Sequence, residues 1–132
     1  MLKIYRTPQA KRDYKEIYKE SARRFGEKVA SETVAQIESA ERRIQENPHY
    51  GRLDPQFHSE KYRYIQTKNR QKIFYVAFSD FIVIITAGYD GRNWLRILQE
   101  QDAYITEQLH EATQRRNEWN LEFWLIWHEI CL

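Results

Sequence analysis

Between Lys61 and Trp94 apolar and polar positions alternate in three short runs rich in β-branched and aromatic residues, the pattern of half-buried strands. Asn69 and the Ser79–Asp80 pair break the runs, so three strands joined by tight turns and paired antiparallel are predicted. Upstream, Leu2–Arg6 alternates and predicts an edge strand. Thr7 then offers a side-chain acceptor to the orphan amides of a helix start, and Pro8 suits the first helical position. Ala10, Tyr14, Ile17, Tyr18 and Phe25 fall on one helical stripe, and Gly26 reads as the C-cap. A second stripe runs from about Glu27 through Val29, Thr33, Ile37, Ala40 and Ile44 until Asn47–Pro48 ends it. Two helices so close in sequence form an antiparallel hairpin. Residues 49–60, with Gly51 and Pro55, read as a loop. From Leu95 to about Arg116, Leu98, Ala103, Ile105, Leu109 and Ala112 mark a further helix. The order predicts an α+β fold: an N-terminal strand and an antiparallel helical hairpin packed on a three- to four-stranded antiparallel sheet, plus a C-terminal helical extension. The hairpin should cover one sheet face and leave the other partly open. Two parts are expected, a core over residues 1–98 and a Trp-rich extension over 99–132.

Composition narrows the class. In 132 residues, 42% hydrophobic and 14% aromatic content supports one domain with a real core. The net charge of +2 does not by itself imply nucleic-acid binding; its distribution says more. Acids concentrate in the helical parts, whereas Lys61–Lys72 carries five basic residues and no acid. A single cysteine, Cys131, rules out a disulfide framework within the chain and fits a reducing compartment. The beginning of the chain has no apolar signal core, and the longest apolar cluster, Phe123–Trp127, falls far short of the roughly 20 residues a membrane span needs. A cytoplasmic protein that does not engage a membrane is expected.

Candidate chemistry is sparse. Lys61, Arg63, Lys68, Arg70 and Lys72 lie on two strands and their turn, where cations on a rigid sheet can neutralise successive phosphates while Tyr62, Tyr64 and Tyr75 stack on bases. The same charges also serve an ordinary solvated face that discourages edge pairing. Arg92 follows Gly88–Tyr89–Asp90–Gly91, a turn that permits close approach of a partner. There it can clamp a phosphate or pair with Asp90 or a helix acid. Tyr75 and Tyr89 can donate hydrogen bonds or protons, or simply pack. The four histidines show no metal-ligand spacing, and no phosphate loop, nucleophile elbow or paired-carboxylate motif is present. Neither a metal nor a cofactor is expected.

Taken in order, several short motifs resemble the RelE/ParE superfamily of toxins from type II toxin–antitoxin modules. They are Ala10-x-x-Asp13-Tyr14-x-x-Ile17-Tyr18, Phe25-Gly26-x-x-x-Ala30, Glu46-Asn47-Pro48-x-x-Gly51-Arg52, Lys72-Ile73-Phe74-Tyr75-Val76, Ile82–Ile85 and Asp90-Gly91-Arg92-Asn93, over roughly residues 2–98. The Asn-Pro-x-x-Gly-Arg turn and the Ile-Phe-Tyr strand resemble the ParE side more. The resemblance implies a toxin neutralised by a cognate antitoxin. ParE-like members poison DNA gyrase and do no chemistry; RelE-like members cleave mRNA on the ribosome without a metal. On the nuclease reading Lys72 and Arg92 would stabilise the phosphorane, Lys68 and Arg70 would position the backbone, and Tyr75 or Tyr89 would move the proton. On the gyrase reading the same cations form a binding surface. A degenerate toxin acting as a protein-binding module is a third reading. The C-terminal His-Tyr ending of some nuclease members is absent.

The resemblance leaves about 35 residues over. Trp119, Phe123, Trp124 and Trp127 would be an aggregation hazard if exposed together, so the segment is expected to contact its own sheet, a second copy in a homodimer, or a partner.

Overall fold

The computed structural model describes residues 2–57, 60–89 and 91–116. Strand β1 (Lys3–Arg6) leads into helix α1 (Pro8–Phe25) and helix α2 (Glu27–Glu46). Thr7 caps α1 as its spacing implied: its hydroxyl accepts from the Ala10 amide at 3.0 Å and donates to the Ile85 carbonyl at 2.7 Å. Gly26 ends α1 and Asn47 ends α2. Next come the two-residue β2 (Arg52–Leu53), a short 3-10 turn (Pro55–Phe57), β3 (Arg63–Gln66), β4 (Gln71–Ala77), β5 (Phe81–Tyr89) and α3 (Trp94–Arg116), opened by Asn93, whose side chain accepts from the Arg96 amide.

The expected α+β arrangement is the one found, with a larger sheet. Five strands lie in the order β1-β5-β4-β3-β2. The β3–β4–β5 meander is antiparallel, whereas β1 pairs parallel with β5, Ile4 opposite Ile82. The parallel pairing follows from the hairpin, which carries the chain back across the sheet before β5 is laid down. The extra strand, β2, lies inside the segment expected to be loop.

Two apolar clusters sandwich the sheet. On one face Ile73, Tyr75, Ile82, Ile84 and Ala87 meet Ala10 and Ile17 of α1 and Ile37, Ala40 and Ile44 of α2. On the other, Phe74, Val76, Val83 and Ile85 meet Phe57, Tyr62, Trp94, Leu98 and Ile105. The face expected to stay partly open is therefore covered by α3 together with Phe57 and Tyr62. The signal was in β5: Phe81–Ala87 is an unbroken apolar run apart from Thr86, and a strand with no polar alternation is one buried on both faces. Ring contacts organise this second layer, with Phe57 edge-on to Phe74 at 5.7 Å and Phe74 against Trp94 at 4.9 Å.

Polar knots fix the layers to each other. The Arg6 guanidinium forks onto the Glu41 carboxylate, and the Tyr14 hydroxyl donates to Glu41 Oε2 at 2.7 Å, joining β1, α1 and α2. Burial, then the Glu41 charge, holds the Tyr14 phenol well above its usual pKa, so it stays a donor. On the opposite face Asp102 accepts from Lys61 at 2.5 Å and from the Tyr62 hydroxyl, pinning α3 to the start of β3. Trp119, Phe123, Trp124, Trp127 and the dimer contact considered for them lie outside the described residues.

Candidate functional site

The Asn47-Pro48-x-x-Gly51-Arg52 motif is a docking joint. Once Asn47 ends α2, the chain must return to the sheet, and Tyr75 of β4 is the peg it returns to. Its ring is fully buried; its hydroxyl donates to the Pro48 carbonyl at 2.7 Å and accepts from the Gly51 amide at 2.8 Å. A side chain at 51 would put its Cβ 2.5 Å from that hydroxyl, so the close approach requires glycine. Arg63 closes the joint by donating to the Gly51 carbonyl at 2.9 Å. Burial raises the Tyr75 pKa, the Gly51 amide and nearby Arg63 opposing it. A phenol enclosed and engaged on both sides tethers the loop.

Arg92 is drawn inward as well. At the end of β5 the buried Asp13 of α1 takes two bonds on Oδ2, from the Thr86 hydroxyl at 2.5 Å and the Ala87 amide at 3.1 Å. Its Oδ1 faces Gln9 Nε2 at 2.9 Å and Arg92 Nη1 at 3.3 Å. The same Nη1 donates to the Ala87 carbonyl, and the guanidinium lies over the Trp94 ring at 5.1 Å. The side chain crosses Gly88, where an added Cβ would come within 2.7 Å of Nη1. The helix acid considered as a partner for Arg92 is present as Asp13, while Asp90 lies outside the described residues. Asp13 was not singled out as that acid, although it stands in the Ala10-x-x-Asp13-Tyr14 motif, among the buried residues of α1.

Lys72 stands opposite Gly88 in the β4–β5 ladder, so it and Arg92 share one end of the sheet. Its amine lies over the Tyr64 ring at 4.9 Å. Tyr89 sits partly exposed at the rim with its hydroxyl 3.4 Å from Ser21 Oγ. Lys61 is paired with Asp102, and Arg63 donates to the Gly51 carbonyl. Lys68 and Arg70 do stay at the surface, on a turn clamped to α2: the Asn69 side chain donates to Thr33 and its amide to Gln36. They line a groove of about 680 Å³ at the β2–β3 edge with Tyr50, Arg52 and Tyr64. Arg52 and Tyr50 come from the Asn-Pro-x-x-Gly-Arg loop, and only the short β2, pairing Arg52 opposite Tyr64, brings them there.

Among the described residues no cluster of His, Cys, Asp and Glu has the geometry to hold a metal ion, and no helix is long and apolar enough to cross a membrane.

Residues 4–104 match the family described as the ParE toxin of type II toxin-antitoxin system, parDE. Among solved structures the fold is similar to a chain of the chromosomal ParDE TA system from P. aeruginosa, with a TM-score of 0.57 and 18% identity over 67% of this chain and 96% of that one. At that identity the likeness is one of fold. No curated protein matches the chain.

Proposed function

The chain belongs to the ParE toxin family of type II toxin–antitoxin systems, and from that premise we propose that it inhibits growth by binding DNA gyrase, without chemistry of its own, and is neutralised by a cognate antitoxin. One observation carries the choice over mRNA cleavage. Cleavage needs a mobile proton carrier and a cation free to meet a developing phosphorane. Tyr75 is buried with both bonding directions taken by backbone, and Arg92 is committed to Asp13, the Ala87 carbonyl and the Trp94 ring. Tyr89 and Lys72 alone make a poor catalytic pair. A binding toxin needs none of these groups to react; it needs a stiff scaffold, which the Tyr75 and Asp13 joints provide.

The test pairs two assays on the purified chain. Gyrase supercoiling should fall with added protein and accumulate cleaved DNA, while primer extension on mRNA from arrested cells shows no new ends. New mRNA ends with supercoiling untouched would replace this reading with the nuclease one.

A further inference from the structure

We propose that the groove at the β2–β3 edge holds a single strand of nucleic acid, with its phosphates on Arg52, Lys68 and Arg70 and a base against Tyr50. Three observations converge there. First, none of these three cations has an ion-pair partner among the described residues, whereas Lys61, Arg92 and Arg6 each have a carboxylate. A groove lined by unneutralised cations and no acid favours a polyanion, because each phosphate bound releases a counterion. Second, the backbone beneath the cations is pinned. Asn69 bolts the turn carrying Lys68 and Arg70 to α2, and Arg52 sits in register opposite Tyr64. Third, Tyr50 is a braced yet accessible ring. It is 47% exposed, Arg43 Nη1 donates to its hydroxyl at 2.8 Å, and the Arg43 guanidinium lies 5.6 Å from the ring centre. An aromatic plate beside a row of cations is the arrangement that takes an unpaired strand, since any base offers a face to stack. In a duplex the base faces are already stacked, so Tyr50 would gain nothing from it.

The site does not depend on gyrase as the target. The probe is a fluorescein-labelled oligothymidylate of about a dozen bases, read by anisotropy with the whole chain, with an oligouridylate and a duplex of equal length beside it. Three phosphate contacts on a single strand give a salt slope of about −2, so affinity should fall about 15- to 20-fold between about 50 and 200 mM salt. The Arg52→Ala, Lys68→Ala, Arg70→Gly triple variant should flatten that slope. Tyr50→Leu should weaken binding about tenfold at constant slope, as loss of one stacked base does. A control triple variant on the helical hairpin, Lys15→Ala, Lys19→Ala, Lys28→Ala, removes the same charge elsewhere and should leave binding unchanged. Equal affinity for the two single strands identifies the shared phosphodiester chemistry; a preference for one names the strand the groove was shaped for. The proposal is overturned if the wild-type chain does not bind either single strand at low salt, if the duplex binds as tightly as they do, or if the control triple loses as much as the groove triple. Gyrase inhibition without oligonucleotide binding sinks this proposal alone. Oligonucleotide binding without gyrase inhibition sinks only the target assigned above.

Discussion

Replacing Asp13 by alanine should cost about 3–5 kcal/mol, and replacing it by asparagine about 1–2. The difference comes from how the two carboxylate oxygens divide their work. Oδ2 accepts from the Thr86 hydroxyl and the Ala87 amide, both buried. Alanine orphans both, at about 1–3 kcal/mol each, and strips Arg92 of its counter-charge besides. Asparagine can keep its carbonyl oxygen where Oδ2 was and so satisfy both buried donors. At the Oδ1 position it loses the bond from Gln9 and the attraction of Arg92, which stands 3.3 Å away with its side chain one-third exposed, and both must turn from its amide NH2. Arg92→Ala should resemble the asparagine variant, since Thr86, Ala87 and Gln9 still hold the carboxylate. Urea unfolding of the four proteins measures this, with thermal midpoints falling about 4 °C per kcal/mol for a chain of this size. An alanine variant within 1 kcal/mol of wild type would refute the account of Asp13 as the main polar joint between α1 and β5. An asparagine variant as unstable as alanine would show that the charge pair, not the bonds to Thr86 and Ala87, dominates.

The joint at Tyr75 should behave similarly: Tyr75→Phe orphans the Gly51 amide and Pro48 carbonyl and should cost about 1–3 kcal/mol, while gyrase inhibition survives at temperatures where the variant stays folded. A stable but inactive Tyr75→Phe would restore a chemical role for the phenol. Gly51→Ala should lower the midpoint too, by overpacking a ring that has nowhere to move. Arg70→Gly should stabilise by about 0.5–1 kcal/mol, because Arg70 holds a left-handed φ of 66° that glycine adopts without strain. Acid should loosen α3: burial pushes the Asp102 carboxyl up, but Lys61 and the Tyr62 hydroxyl outweigh it, so its folded pKa lies below the ordinary value of 3.8. A depressed carboxyl contributes stability that is full above its unfolded pKa and lost as pH falls through the folded one, so in a chain whose Trp119, Trp124 and Trp127 are replaced by phenylalanine the Trp94 fluorescence should change below about pH 4. Asp102→Asn, which has no carboxyl to protonate there, should lack that component.

What could be read from residues alone were the local rules, and what could not were the long-range assignments. Thr7–Pro8, Gly26 and Asn47–Pro48 act within a few residues of themselves, so caps and breaks placed both hairpin helices. The partner of β1 lies some 80 residues away, and alternation carries no information about which strand it will join. The short β2 is two exposed residues, Arg52 and Leu53, too few for periodicity to detect. The cations teach the same lesson in electrostatic terms. A run of five looked like one surface because charge can be counted along a chain. Whether a charge stays available depends on which carbonyl or carboxylate the fold brings beside it. The fold spends Lys61 on Asp102, 41 residues on, and Arg63 on the Gly51 carbonyl, 12 residues back. It leaves Lys68 and Arg70 and adds Arg52, which no basic run contained. A family resemblance built on Asn-Pro-x-x-Gly-Arg therefore points at two different things in one motif. Its glycine exists for the Tyr75 peg, and its arginine stands on the groove. Substituting the two separately should part stability from binding, with Gly51→Ala moving the unfolding midpoint and Arg52→Ala moving only the salt slope of oligonucleotide binding.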